Sequence, residues 1–194
     1  MNLIRKTSRF ASATVGLSGL CALFSTTLSA QAAPATATWK VLRMAGGHRV
    51  SMPGTPSMAR SVYHWRDGGG KEVIYALRRV RQGDLFYVDS VEVPFKTRKL
   101  LKPNQILGAQ SGGFFGGRRD DKIVSRRALS MRGYRGLELI GLTVMGGKSV
   151  ILRSRAFLVR GTLITLVSVA PNKAPLQREG MRFLDSFRLA SGKR

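Results

Sequence analysis

One glycine-rich segment has the residue types of a phosphate-binding loop. In SGGFFGGRRDD, residues 111–121, two glycines have the spacing of the phosphate-loop pattern G-x-x-x-x-G-K-[ST]. Arg118 and Arg119 stand where that pattern needs a lysine and a magnesium-binding hydroxyl, and a helical pattern precedes the segment instead of a strand. We therefore interpret it as the glycine-rich end of a helix near 103–115, followed by a turn. We expect this helix to be short, frayed or loop-like, and we predict no cofactor.

The residues that usually carry catalysis or bind metals are few and scattered. His48 and His64 are the only histidines, and no H-E-x-x-H or G-x-S-x-G pattern occurs. Cys21 is the only cysteine and lies near the N-terminus. Disulfides, thiolate zinc sites and cysteine nucleophiles are therefore excluded from residues 34–194. A dispersed set of serine, histidine and aspartate remains open as an alternative, an unrecognised hydrolase. We predict no catalytic residues and no metal ligands.

The basic residues are the best functional candidates. Arg153 and Arg155 are two apart in a strand pattern, so they share one face, with Ile151 and Phe157 beside them. Either Arg126 or Arg127, in an earlier strand, is expected on the same side. Arg132 and Arg135 lie in a hairpin turn. An acidic partner would fit such a cluster, and a solvated sheet edge is the equal alternative. The predicted contact residues are Arg118, Arg119, Arg126, Arg127, Arg132, Arg135, Arg153 and Arg155.

The charge balance favours an acidic partner. The chain has 33 basic and 10 acidic residues among 194. Residues 1–33 contain three basic residues and no acid, which leaves 30 basic and 10 acidic residues, a net charge of +20. Such a balance attracts polyanions. The expected partner is an acidic envelope component, a membrane surface or another envelope protein. A nucleic-acid-binding protein is one alternative, because phosphate contacts need no sequence code. A generally arginine-rich composition without a dedicated partner is another.

The N-terminus has the organisation of an export signal. Three basic residues come first, an uncharged apolar block follows, and Ala30-Gln31-Ala32 forms an A-x-A cleavage pattern. We predict a signal peptide at 1–33, a linker at 34–38 and one domain at 39–194, located in the periplasm or outside the cell. An organelle transit peptide and a retained membrane anchor are the alternatives, although the apolar block is short for a membrane span.

The elements that would position these residues follow from alternation and turn signals. Residues 162–170 form a nearly continuous apolar run, which is typical of a central strand buried on both faces. The last helix has an apolar stripe at Leu176, Phe183, Leu184 and Phe187. The fold class is α+β, an antiparallel sheet of about six or more strands with helices packed on its faces. We predict strands at 48–52, 59–66, 71–80, 85–93, 122–129, 137–144, 150–159 and 162–170, and helices near 103–115 and 174–186.

Three segments resemble exported bacterial domains of the PsbP-like and DcrB-like class. They are HRVSMPGTP at 48–56, GYRGLEL at 133–139, and the stretch from SRAFLVRG to FRLA at 154–190. The resemblance covers nearly all of residues 39–190. It implies an α/β/α sandwich and a non-enzymatic binding or accessory role, because no catalytic set belongs to the class. The net charge is more positive than the class leads us to expect, and the middle helix is richer in glycine.

Overall fold

The structure, a computed structural model, describes residues 38–65, 68–79, 83–112, 121–145 and 147–190. The predicted signal peptide and almost all of the predicted linker lie outside these residues. Nine strands and three helices follow one another, with a short 3-10 turn at Ala45–Gly47. In chain order they are β1 (Trp39–Arg43), β2 (Arg49–Pro53), β3 (Ser57–Trp65), β4 (Gly68–Arg79), β5 (Asp84–Glu92), α1 (Phe95–Leu100), α2 (Pro103–Gly112), β6 (Lys122–Met131), β7 (Tyr134–Met145), β8 (Lys148–Val159), β9 (Thr162–Pro171) and α3 (Ala174–Asp185).

Seven of the strands form one antiparallel sheet. Their order is β3-β4-β5-β9-β8-β7-β6, and β1 and β2 form a separate two-stranded hairpin. β9 is the middle strand, and residues 163–170 of it are all buried. Its apolar run predicted this central position, and the prediction is confirmed.

The two faces of the sheet bury two separate hydrophobic cores. Successive strand residues point to opposite faces, so Ile74 belongs to one core and Leu77 to the other. Ile106 and Leu107 of α2 complete the first core. α3 and the β1–β2 hairpin together cover the second core. The predicted α+β class, with helices packed on the sheet, is confirmed.

Aromatic contacts fix α3 on its face of the sheet. Phe183 meets Phe86 edge to face at a centroid distance of 5.5 Å, and Phe187 stacks on Phe157 at 5.6 Å. Both arrangements are favourable ones for aromatic pairs. Gly180 allows the close approach, because a Cβ there would lie 2.4 Å from the side-chain oxygen of Ser168 on β9. The predicted roles of Phe183, Leu184 and Phe187 are thus confirmed by their burial.

Two local features differ from the sequence predictions, and a third prediction is tested only in part. α1 was not predicted, because its six residues FKTRKL contain no apolar stripe. α2 ends at Gly112 within the described residues, and 113–120 of the predicted helix and turn lie outside them. Gly136 falls between two predicted strands, 122–129 and 137–144, but it lies within β7. Its lack of a side chain makes room for Phe157, since a Cβ would come within 2.5 Å of that ring.

None of the helices in the described ranges is both long enough and apolar enough to cross a bilayer.

Candidate anion-binding surface

The fold buries half of the acidic residues that the structure describes and leaves most of the basic ones exposed. Eight of the ten carboxylate residues lie in the described ranges, and four of these are buried: Glu72, Asp84, Asp89 and Glu138. A fifth, Asp185, is bonded to an arginine. The lysines of the described ranges are exposed, as are most of their arginines. The surface is therefore more positive than the composition alone indicates, and anions approaching it meet few competing carboxylates.

Arg155 is placed by β8 under α3, where it bridges two carboxylates. Its Nε donates to Glu138 Oε1 and its Nη1 to Asp185 Oδ1, each at 2.7 Å. Burial opposes the charge of Arg155, but hydrogen bonds and attraction from both carboxylates outweigh it and raise its pKa. Only 13% of its side chain is exposed. This arginine, which the sequence placed among the contact residues, is thus engaged within the protein.

Arg153 lies on the same face as Arg155, as the period of two predicted. Its Nε donates to Gln177 Oε1 at 3.2 Å, and its Nη1 lies 3.7 Å from the sulfur of Met181. Both partners belong to α3 and carry no charge. Arg153 therefore keeps its full positive charge at the border between sheet and helix.

The arginines of β6 and β7 divide between the two faces of the sheet. Arg127 faces the α3 side and donates to Glu138 Oε2 at 2.7 Å, with 64% of its side chain exposed. Arg126 faces the other side, where a Cβ at Gly108 of α2 would lie 3.2 Å from its Nη2. Arg135 is exposed on β7, and its alternation with Glu138 places it on the α2 side. Of the predicted residues that the structure describes, those on β6, β7 and β8 thus lie on both faces of the sheet and do not form one cluster.

Two hairpin turns bring further arginines together at one end of the sheet. Arg132-Gly133 joins β6 to β7, and Arg160-Gly161 joins β8 to β9, with positive φ at all four residues. Such two-residue turns match the twist of a hairpin. The turns are neighbours, because Arg160 Nε donates to the hydroxyl oxygen of Tyr134 at 3.1 Å.

α1 joins the same end of the sheet. The backbone N–H of Val93 donates to the carbonyl oxygen of Gly161 at 2.9 Å, and the Arg98 guanidinium lies directly beside Gly161. We call this region the basic end and define it by Arg98, Arg132, Arg160 and the lysines of α1 and its flank, Lys96, Lys99 and Lys102. Glu92, the last residue of β5, is the acidic residue beside the basic end, and it takes part in an interaction within the protein. Sequence reasoning identified Arg132 but missed Arg98 and Arg160. The sequence did offer a signal for Arg160, because the Arg-Gly pair of the second turn repeats the Arg-Gly pair of the first turn.

The histidines do not form a metal site with other residues of the described ranges. His48 Nδ1 accepts a hydrogen bond from the backbone N–H of Ala190 at 3.1 Å. Partial burial and the charge of Arg160 lower the pKa of His48, so it is neutral at pH 7. His64 lies on β3 opposite Gly69. No group of three histidine, cysteine or acidic residues approaches metal-binding geometry in the part of the chain that the structure describes.

The glycine-rich segment is described only at its two ends. α2 reaches Gly112, and at the other end Asp121 accepts a hydrogen bond from the Thr143 hydroxyl at 2.6 Å. Arg118 and Arg119 lie outside the described residues, so their part in an anion-binding surface stays a prediction.

Comparison with known proteins identifies the fold. No protein-family model and no curated protein sequence matches the chain. Among solved structures, it is similar to PsbP of the cyanobacterium Synechocystis sp. PCC 6803, with a TM-score of 0.54 and 15% identity over 79% of this chain and 94% of that one. LpqN of Mycobacterium tuberculosis, a protein involved in cell envelope biogenesis, matches with a TM-score of 0.41 and 12% identity over 77% and 89%. A protein of unknown function from Pseudomonas aeruginosa matches with a TM-score of 0.33 and 14% identity over 74% and 94%. At these identities the fold alone is shared, and it is the similarity to PsbP that confirms the resemblance predicted from the sequence: this chain has a PsbP-like fold.

Proposed function

We propose that the protein is a non-enzymatic binding or accessory protein of the cell envelope, which contacts an acidic surface or envelope partner through its basic surface. The observation that supports this most is the separation of charges, with four carboxylates buried while cations cover the outside. The basic end concentrates this charge, because two turns and a short helix place their cations together. The predicted signal peptide would bring the protein to the compartment where acidic lipids and wall polymers are exposed.

Binding to polyanions at two salt concentrations tests this function. Protein purified from its native host is mixed with anionic lipid vesicles or with duplex DNA, at low salt and at ~0.15 M salt, where the Debye length is about 8 Å. We expect vesicle binding to persist at the higher salt and DNA binding to fall steeply, as phosphate-only contacts do. An equal loss for both would indicate generic charge attraction, and absence of vesicle binding even at low salt would rule out an acidic lipid surface as the target.

The arginines of the two turns provide a sharper test of the surface. A double variant, Arg132→Gln with Arg160→Gln, is compared with Arg60→Gln and Arg178→Gln, which removes the same charge from exposed positions elsewhere. We expect the first pair to weaken binding of the acidic target about tenfold more than the second. Equal effects of both pairs would show that total charge, and not the basic end, determines binding. Crosslinking in the native cell then identifies the partner.

A further inference from the structure

α1 exposes two large apolar side chains in the middle of a cluster of cations. Phe95 is 60% exposed and Leu100 is 70% exposed. Thr97 is the one buried residue of this helix. Because residues on a helix are spaced by 100°, a buried Thr97 directs Phe95 away from the protein, and Leu100 lies about 140° around the helix from Phe95. Two large apolar side chains are thus exposed on different sides of one short helix.

Basic residues flank this apolar pair along the chain. Lys96, Arg98, Lys99 and Lys102 surround it, and no acidic residue occurs between Glu92 and Asp120 in the sequence. The Lys99 ammonium lies 4.6 Å from the ring centre of Phe95, and the Arg98 guanidinium lies 5.6 Å from it. These contacts keep the ring and the charges side by side at the surface.

Hydrogen bonds connect the start of this helix to the end of the sheet. Arg98 Nε donates to the carbonyl oxygen of Val93 at 3.1 Å. The Val93 N–H in turn bonds to Gly161 in the turn between β8 and β9. Arg98 and Lys99 also lie in the last turn of α1, where positive charge is favourable. The two apolar side chains therefore extend from the basic end of the sheet.

This combination fits a membrane surface better than a protein partner. Lysines and arginines beside exposed phenylalanine and leucine are the residue types of segments that lie in the lipid headgroup region. Each lysine near an anionic membrane adds attraction, and the apolar side chains enter the boundary of the acyl chains. Protein interfaces are usually depleted of lysine and bury about 800 Å² on each partner, more than two side chains provide. A second copy would bring equal charges together.

We propose that α1 docks the protein on an anionic lipid membrane, with Phe95 and Leu100 inserted between headgroups and the surrounding lysines bound to lipid phosphates. This inference rests on the proposed function and specifies its partner and its site. Insertion is interfacial and reversible, and it orients the sheet with its basic end toward the lipid.

Flotation with vesicles of about 30% anionic phospholipid in neutral phospholipid, at ~0.15 M salt, tests the apolar pair. The variant Phe95→Ser with Leu100→Ser is compared with Met58→Ser and Val62→Ser, which changes two apolar side chains of similar exposure, 52% and 57%, on β3. We expect vesicle affinity to fall about tenfold or more in the first variant and to stay unchanged in the second. Equal unfolding midpoints show that all variants are folded.

A second comparison tests the lysines. The triple variant Lys96→Gln, Lys99→Gln and Lys102→Gln is compared with Lys71→Gln, Lys148→Gln and Lys173→Gln, which has the same net charge. We expect the first to lose about a hundredfold in affinity for anionic vesicles and the second far less. Neither should bind purely neutral vesicles.

The outcomes separate this inference from the proposed function. If the wild type binds anionic vesicles and the α1 variants bind equally well, the docking site is wrong while the function stands. If the wild type binds no vesicle but crosslinks to an acidic envelope protein, the lipid partner is wrong and the general function again stands. Absence of any acidic target overturns both.

Discussion

Arg132 and Arg160 hold a backbone conformation that arginine rarely adopts. Their φ values are 51° and 48°, in the left-handed region that costs most residues about 1–2 kcal/mol. Asparagine followed by glycine is the favoured pair in such turns. We therefore expect Arg132→Asn and Arg160→Asn each to raise the free energy of unfolding by about 0.5–1 kcal/mol, measured by urea denaturation, while weakening binding to the acidic target.

Gly133→Ala is the matched control for these turns. Gly133 has φ 81° and nothing lies within 4 Å of an added Cβ, so the substitution changes backbone strain alone. We expect it to lower the free energy of unfolding by about 1 kcal/mol. If the asparagine variants were destabilised as well, the arginine side chains would contribute more to folding than their exposed hydrogen bonds indicate.

Asp89, which is buried on β5, makes the stability of the protein depend on pH. It accepts hydrogen bonds from the Tyr87 hydroxyl at 2.8 Å and from the Thr165 backbone N–H at 3.2 Å. Burial raises its pKa to about 7 with a further contribution from Glu72, although the hydrogen bonds act in the opposite direction. Asp89 is therefore protonated in the folded state at pH 6, whereas an unfolded chain has released this proton.

The direction of the pH effect follows from this difference. Between about pH 4 and 7 the folded state binds more protons at Asp89 than the unfolded state, so its contribution to stability falls as pH rises, by up to ~1.4 kcal/mol per pH unit. We expect the wild type to lose stability relative to Asp89→Asn across this interval, in urea unfolding at pH 4.5, 6 and 7.5. Parallel curves for the two proteins would show that Asp89 is ionised in the folded state.

At the residue scale, the sequence predicted which arginines share a strand face but not what they meet there. The period of two placed Arg153 and Arg155 together, because alternation is a local property. Asp185 approaches Arg155 only after α3 packs on the sheet, across 30 residues of sequence. Alternation likewise places Arg126 and Arg127 on opposite faces, so only Arg127 joins the α3 side. The sequence alone therefore identified arginines that share a face, but not the carboxylates that engage them.

At the element scale, Arg155 connects β7, β8 and α3. Its two partners, Glu138 and Asp185, belong to β7 and to α3. Removing Arg155 leaves the carboxylate of Glu138, which is 10% exposed, with Arg127 alone. We expect Arg155→Ala to lower the free energy of unfolding by about 2–4 kcal/mol in urea denaturation, because a buried charge loses its main partner.

Arg127→Ala is the matched control for this network. Arg127 contacts the same carboxylate at the same distance of 2.7 Å, but 64% of its side chain is exposed. Solvent screens such a pair, so its loss should cost about 0–1 kcal/mol. Similar losses for both variants would contradict the structural role assigned to Arg155.

The regular elements were largely predictable, and the exceptions have physical reasons. Alternation and glycine turns located eight strands within three residues of their ends, and the amphipathic stripe located α3. α1 was not predicted, because its six residues make fewer than two helical turns and are too few to show a periodic pattern. β1 precedes the first predicted strand and was not predicted. Its residues do not alternate between exposed and buried positions.

At the scale of the whole molecule, the two edges of the seven-stranded sheet differ in charge. β6 presents Lys122, Arg126 and Arg127 along its exposed edge, and such charges prevent pairing with another chain. β3 carries one arginine, Arg60, and exposes Met58 and Val62 by more than half. An uncovered, weakly charged edge strand is a template for adding a further strand. In this protein the net charge of the surface opposes that addition, because two copies repel each other.

A high salt concentration should therefore promote self-association through β3. At about 0.05 M salt the repulsion between copies extends over more than 10 Å and we expect a monomer, whereas at ~0.5 M it is screened and copies should pair edge to edge. Sedimentation velocity at both concentrations measures this. Val62→Lys should keep the protein monomeric at the higher concentration, and Val124→Lys on β6, where Val124 is 59% exposed, should leave the association unchanged. If Val124→Lys prevents association and Val62→Lys does not, the contact lies on β6, the more highly charged edge, and the proposed role of β3 is wrong.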